Sequence, residues 1–172
     1  MRQILLALAA LCAMGAALAP FPGPLLLYNG SPSAPVGFFV RDSNPIGVGS
    51  YVIVRARDVA PRYAAFRGFD GPRNYFIKRV AAIAGARVCA WRDHIIVDGR
   101  RLDRQTQDRF GRALPAWAGC GVLGSDQVFL VGDTADSFDS RYWGPVRLEQ
   151  LAGRWRPIGA ASALTRQFAR PH

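Results

Sequence analysis

Lysine is almost missing from this chain of 172 residues: of its 22 Lys and Arg, every one but Lys78 is arginine. Codon bias accounts for the arginines but not for one position staying lysine. Arginine cannot be deprotonated in a protein, whereas a buried lysine can, so Lys78 is a candidate for a task that needs a neutral amine. Histidine is nearly as scarce. His94 and the terminal His172 are the only two, and three cysteines accompany them. No Cys/His spacing resembles a metal site, and no motif points to a cofactor. Acidic residues are few, 12 against 22 basic ones, for a formal charge of +10. Such a balance suggests nucleic acid or an anionic membrane surface. The arginines are spread from Arg41 to Arg170 without a dense cluster, and no helix-turn-helix, zinc or aromatic RNA-binding signature joins them. Nucleic acid is therefore set aside as a partner. Half of the residues are hydrophobic, which excludes disorder and suits one domain of ordinary size.

Charge is absent altogether between Arg2 and Arg41, where no Asp, Glu, Lys or Arg occurs. Ile4 to Ala19 is an unbroken apolar run, and Leu25 to Leu27 extends it beyond a Pro/Gly break. The run is at the short end for a spanning helix of about 20 residues. It also resembles a signal peptide, with Ala17-Leu18-Ala19 as a cleavage site, but Pro20 directly after that site opposes cleavage. Residues 1–27 are thus expected to be an N-terminal transmembrane anchor. Residues 28–159 would be the folded domain and 160–172 a tail. Arg2 orients the anchor with its N-terminus in the cytoplasm, so the domain lies outside it. Cys12 is a packing residue of the run. Cys89 and Cys120 fall in the exported part, where disulfides persist, and either a pair or two buried thiols fits the sequence.

Beyond the anchor the chain reads as mainly β. Strands are predicted at Val36 to Val40, Ser50 to Ala56, Tyr75 to Ala81, Arg87 to Trp91, His94 to Val97, Gln127 to Val131 and Arg154 to Ile158. Asp98-Gly99 is a turn signal. Pro61 to Arg73 and Arg100 to Gly124 read as loops, and residues 148–152 as one helical turn. Short strands with Gly and Pro between them suggest a sandwich or barrel-like domain.

Three segments carry chemistry. In Asn29-Gly30-Ser31-Pro32-Ser33-Ala34-Pro35-Val36-Gly37 the prolines stiffen the backbone and push Ser31 and Ala34 toward extended geometry, which would put the Ser31 and Ser33 side chains on one face. A Ser/Pro-rich linker is the plainer alternative. In Asn74-Tyr75-Phe76-Ile77-Lys78-Arg79-Val80, strand alternation places Lys78 with Phe76 and Val80, apolar neighbours that would desolvate an amine. An exposed Lys-Arg pair is the alternative there. The third segment runs from Gly132 to Gly144 and follows the apolar strand QVFLV. A dense polar loop aimed by a rigid strand is a common seat of function. Asp139 and Arg141 could pair to fix it, and Ser137 could offer a hydroxyl to an amine.

In this order the three segments resemble the signal peptidase family that uses a serine–lysine dyad. The matching residues are Ser33, then Lys78-Arg79-Val80, then Gly132-Asp133 with Ser137-Phe138-Asp139-Ser140-Arg141-Tyr142-Trp143-Gly144. The first segment resembles the TraF-type branch, peptidases of conjugative transfer systems that mature pilin subunits. The chain departs from the pattern at Ala34, at Gly49-Ser50, at Thr134 and at Ala84-Gly85-Ala86.

The resemblance implies a signal-peptidase-like β-fold with Ser33 as nucleophile and Lys78 as general base. It implies Ser31 as an oxyanion donor, Ser137 as a partner of the amine, and Asp139 and Arg141 as support. It also implies a single-pass inner-membrane protein facing the periplasm. The partner would be a membrane-tethered precursor with small residues near the cut. His94 is the alternative base. Alternative functions are a housekeeping signal peptidase, a non-catalytic accessory protein of a transfer channel, and a basic envelope protein that binds anionic polymer or lipid. The oligomeric state is not legible.

Overall fold

The structure is a computed structural model that describes residues 24–108 and 110–159. Most of the expected anchor and the whole expected tail lie outside the described residues, as does Cys12. Among the described residues no helix is long and apolar enough to cross a membrane.

Two antiparallel sheets form the domain. The larger has seven strands in the order β1-β2-β11-β3-β4-β9-β10: β1 Leu26–Asn29, β2 Gly37–Asp42, β11 Leu151–Pro157, β3 Tyr51–Arg55, β4 Tyr75–Ala82, β9 Gln127–Val131 and β10 Val146–Arg147. The smaller has the order β7-β6-β5-β8: β7 Arg100–Asp103, β6 His94–Val97, β5 Arg87–Ala90 and β8 Cys120–Val122. Leu26 and Leu27, assigned from sequence to the end of the anchor, instead pair with Val40 and Phe39 of β2. Apolar character alone does not separate an edge strand from the end of a membrane run.

The centre of the large sheet is covered on both faces, and this is why Tyr51-Val52-Ile53-Val54 of β3 is apolar without alternation and buried throughout. On one face Phe39, Tyr51, Ile53, Ile77, Trp155 and Ala34 pack together. On the other, Val52, Val54, Val80, Val128, Leu130 and Val146 do so. The small sheet closes a third cluster with Val88, Ile95 and Val97 against Phe129 and Val131.

Two segments read as loops contain regular structure. Pro61–Phe66 is a short helix, α2, preceded by α1 at Ala56–Val59. Pro61 stands at its first turn, where a missing N–H costs nothing, and six residues are too few to show a helical period. Strands β7 and β8 (RRLD and CGV) lack apolar alternation. Their extended state comes from pairing with β6 and β5. That pairing sets Cys89 directly opposite Cys120, and the two form a disulfide. Asp98 and Gly99, at φ 46° and 79°, make the turn from β6 to β7.

Candidate active site

Ser33 sits in a turn between β1 and β2, not in the extended segment that its prolines suggested. Ala34 N–H points back to Ser31 O at 3.5 Å. The buried side chain of Asn29 sets this turn. Its amide donates to the carbonyls of Ser31, Ala34 and Pro35 at 2.7, 2.9 and 2.9 Å, and its Oδ1 accepts from Ser31 N–H at 3.2 Å. Ala34, buried in the Phe39 cluster, pins the following residue. The two serines still converge: Ser31 Oγ lies 3.1 Å from Ser33 Oγ and accepts from Ser33 N–H at 3.3 Å.

Lys78 sits where a sheet ladder ends. Strand β9 pairs with β4 as far as Val131 opposite Arg79 and then turns away, so the next residue of β4, Lys78, has no β9 neighbour. On its other side it faces Val52 of β3. Its side chain is 3% exposed, with Nζ 5.7 Å from the centre of the Phe76 ring. Burial pulls its pKa down from 10.5 to about 8, against an upward pull from Asp139.

The chain leaving β9 supplies the rest. Asp133 N–H donates to Ser33 O at 2.8 Å and so fastens the serine turn to this loop. Gly132 must lack a side chain, because a Cβ there would collide with Ser137 Oγ and lie 3.2 Å from Ser33 Cβ. Asp139 and Arg141 pair as expected, through Nε–Oδ1 and Nη2–Oδ2 contacts of 2.8 Å. Asp139 also accepts from Gly132 N–H at 2.8 Å and caps the short helix α3, Ser140–Trp143, by accepting from Arg141 N–H. Arg141 donates to the carbonyls of Asp103, Thr134, Ala135 and Ser137. Ser137 Oγ bonds to Thr134 Oγ1 at 3.1 Å rather than to the lysine amine. Ser31, Ser33, Lys78 and Ser137 all line one cleft of about 690 Å³; Asp139 and Arg141 stand behind it. His94 does not reach the cleft. It lies on β6, 2.8 Å from Asp93 and stacked near Trp91. Among the described residues no group of His, Cys, Asp and Glu could hold a metal ion.

A family model described as signal peptidase, peptidase S26, matches residues 2–158. The chain belongs to this family. It is 32% identical to a plasmid transfer protein TraF of Escherichia coli over 146 residues, which is 76% of this chain and 80% of that protein. It is 33% identical to a conjugal transfer protein TraF of Agrobacterium fabrum over 147 residues, with the same shares. A solved signal peptidase I of Enterococcus faecalis superposes with a TM-score of 0.38 at 16% identity, over 64% of this chain and 97% of that one.

In this S26 family member four residues around the site have roles that sequence reasoning did not assign. Asn29 is one. The others form a buried cluster: Arg79 binds Asp133 through Nε–Oδ1 at 2.9 Å and Nη2–Oδ2 at 3.0 Å, and Tyr51 donates to Asp133 Oδ2 at 2.7 Å. Arg79 Nη2 also donates to the Tyr51 hydroxyl, and the guanidinium lies over the Tyr51 ring at 4.4 Å. Burial first, then the Asp133 carboxylate, drives the Tyr51 pKa up, so the phenol stays a donor. Arg79 and Asp133 lie within the matched segments, and Asn29 opens the serine segment. The contacts within the cluster, across 28 and 54 residues, leave no local signal.

Proposed function

We propose that the chain is a serine endopeptidase that cleaves exported precursor proteins, pilin-type subunits of a conjugative transfer system, with Ser33 as nucleophile and Lys78 as general base. The observation that carries this reading is a buried lysine of lowered pKa in the wall of the cleft that also holds the serine turn. With a pKa of about 8, about a tenth of the amine is neutral at pH 7. Neutral Nζ takes the Ser33 proton as Oγ attacks the scissile carbonyl. The ammonium then gives that proton to the departing amine, leaving an acyl-serine. Water, deprotonated by the same lysine, attacks the ester; Ser33 recovers its proton as the new carboxyl group leaves. The oxyanion is held by Ser33 N–H and the Ser31 hydroxyl, which an incoming carbonyl must first separate from each other. Thr134 holds Ser137, and the Asp139–Arg141 pair keeps the loop that carries both in shape.

The apolar run from Ile4 to Ala19 would tether the domain to the periplasmic face of the inner membrane, within reach of a membrane-tethered substrate. Exposed apolar side chains at the start of the domain and on the β1–β2 hairpin, Leu25, Leu26, Tyr28 and Phe38, support that arrangement. The test is cleavage of a co-expressed membrane-tethered prepilin by wild type, Ser33→Ala and Lys78→Arg, with folding checked by thermal unfolding. Wild type should cut, and both variants should be slower by roughly a thousandfold. A folded Lys78→Arg protein that still cuts would remove Lys78 as the base, since arginine keeps the charge and cannot accept the proton.

A further inference from the structure

The cleft continues well past the reacting groups. Its 690 Å³ is the size of a site for a whole small ligand, and Ser31, Ser33, Lys78 and Ser137 make up only part of its lining. The far end is walled by two segments that belong to neither sheet. One is α2 with the turn after it, which brings Tyr63, Arg67 and Phe69. The other is the chain between β7 and β8, which brings Asp108, Phe110 and Leu114.

These walls are strapped together across the cleft. Asp108 is held within its own segment by Phe110 N–H, Arg112 N–H and Arg112 Nε at 2.8, 3.0 and 3.0 Å. Arg67 reaches over from the opposite wall to pair with it. The arginine is aimed by Tyr63, whose hydroxyl accepts from Nη2 at 2.9 Å and whose ring lies 4.7 Å beneath the guanidinium. The far end also connects to the catalytic loop. Phe138, between Ser137 and Asp139, stacks on Tyr63 at 3.6 Å and meets Tyr142 at 5.4 Å and Phe76 at 6.1 Å. Phe110 is 64% exposed at the mouth.

We infer that this end of the cleft is a second substrate subsite, which takes a bulky apolar or aromatic side chain of the precursor at a fixed distance from the scissile bond. The Asp108 carboxylate engages the guanidiniums of both Arg67 and Arg112, and most of the surface left to a ligand is aromatic and aliphatic. Aromatic walls favour large apolar or aromatic partners. The small residues expected at the cut would leave this volume empty, so selectivity among precursors would come from here. The inference rests on the peptidase reading for the identity of its ligand, but its test does not need turnover.

Alanine-rich peptides, each with a single Phe at a different position, are titrated calorimetrically into the full-length Ser33→Ala protein and given to wild type for cleavage. One Phe position should bind roughly tenfold tighter than the all-Ala peptide or more. Phe110→Ser and Arg67→Met should each abolish that preference and leave affinity for the all-Ala peptide unchanged. In wild type the same position should lower KM with kcat unaltered. Equal binding of every peptide would overturn the subsite even if wild type cuts them all. Preferential binding that Phe110→Ser removes, without cleavage of any peptide, would keep the subsite and count against the peptidase reading.

Discussion

Strand β4 buries two adjacent cations and treats them in opposite ways. Arg79, 7% exposed, faces the side of the sheet with Tyr51 and Asp133 and has its charge met by a two-pronged carboxylate contact. Lys78, 3% exposed, faces the other side, and among the described residues no carboxylate lies within ion-pair distance of its amine. A buried charge needs a partner or gives up its proton. Arginine can only be partnered, and here it anchors the loop that holds Ser33. Lysine can give up its proton, and burial at the end of the β4–β9 ladder favours the neutral amine. One strand thus carries one cation that is held by a carboxylate and one that burial pushes toward the neutral form.

Three measurements sharpen this contrast. The largest effect is expected on the Arg79 side: Arg79→Met leaves the mostly buried Asp133 carboxylate without its cation, with only the Tyr51 hydroxyl as a side-chain donor, and should cost about 3 kcal/mol in denaturant unfolding. Arg79→Lys should recover little, because an ammonium cannot make the two-pronged contact. If Arg79→Met unfolds like wild type, the pair does not anchor the loop. On the Lys78 side the sign reverses. A pKa lowered from 10.5 to about 8 corresponds to roughly 3 kcal/mol of burial cost at neutral pH, and Lys78→Met should gain up to that amount in stability while losing activity. The unfolded chain binds the extra proton, so wild-type stability should rise between about pH 8 and 10.5 and stay flat through this residue below pH 8. The Met variant should lack the rise. The smallest effect is kinetic: kcat/KM should increase about tenfold from pH 7 to a plateau above pH 8. A pH-independent rate across that range would mean the titrating base is not this amine.

Strands β2, β3, β4, β5, β6, β9 and β11 were legible because apolar and β-branched runs bounded by turn residues suffice to mark them. Helix α2 and strands β7 and β8 were not. One is too short to show a period, and the others are extended only because a neighbour pairs with them. At the site, Ser31, Ser33, Lys78, Ser137, Asp139 and Arg141 could be picked out by residue type and order. Arg79 and Asp133 stand in the matched segments, but their pairing with each other and with Tyr51 was not legible, since it is made only when distant segments meet. The serine turn shows the same division. Prolines restrict the local backbone, but a buried amide at Asn29 selected a turn over the extended form.

The sequence alone determined which groups are available: one amine able to lose its proton, two serines a residue apart, and an acid–base pair in a polar loop after a buried strand. Those follow from composition and spacing, which are local. Tertiary structure decided that the amine is desolvated, that Asp133 ties the serine turn to the loop, and that two remote segments wall the far end of the cleft. Burial and long-range hydrogen bonds depend on where the whole chain goes, and no window of residues contains them.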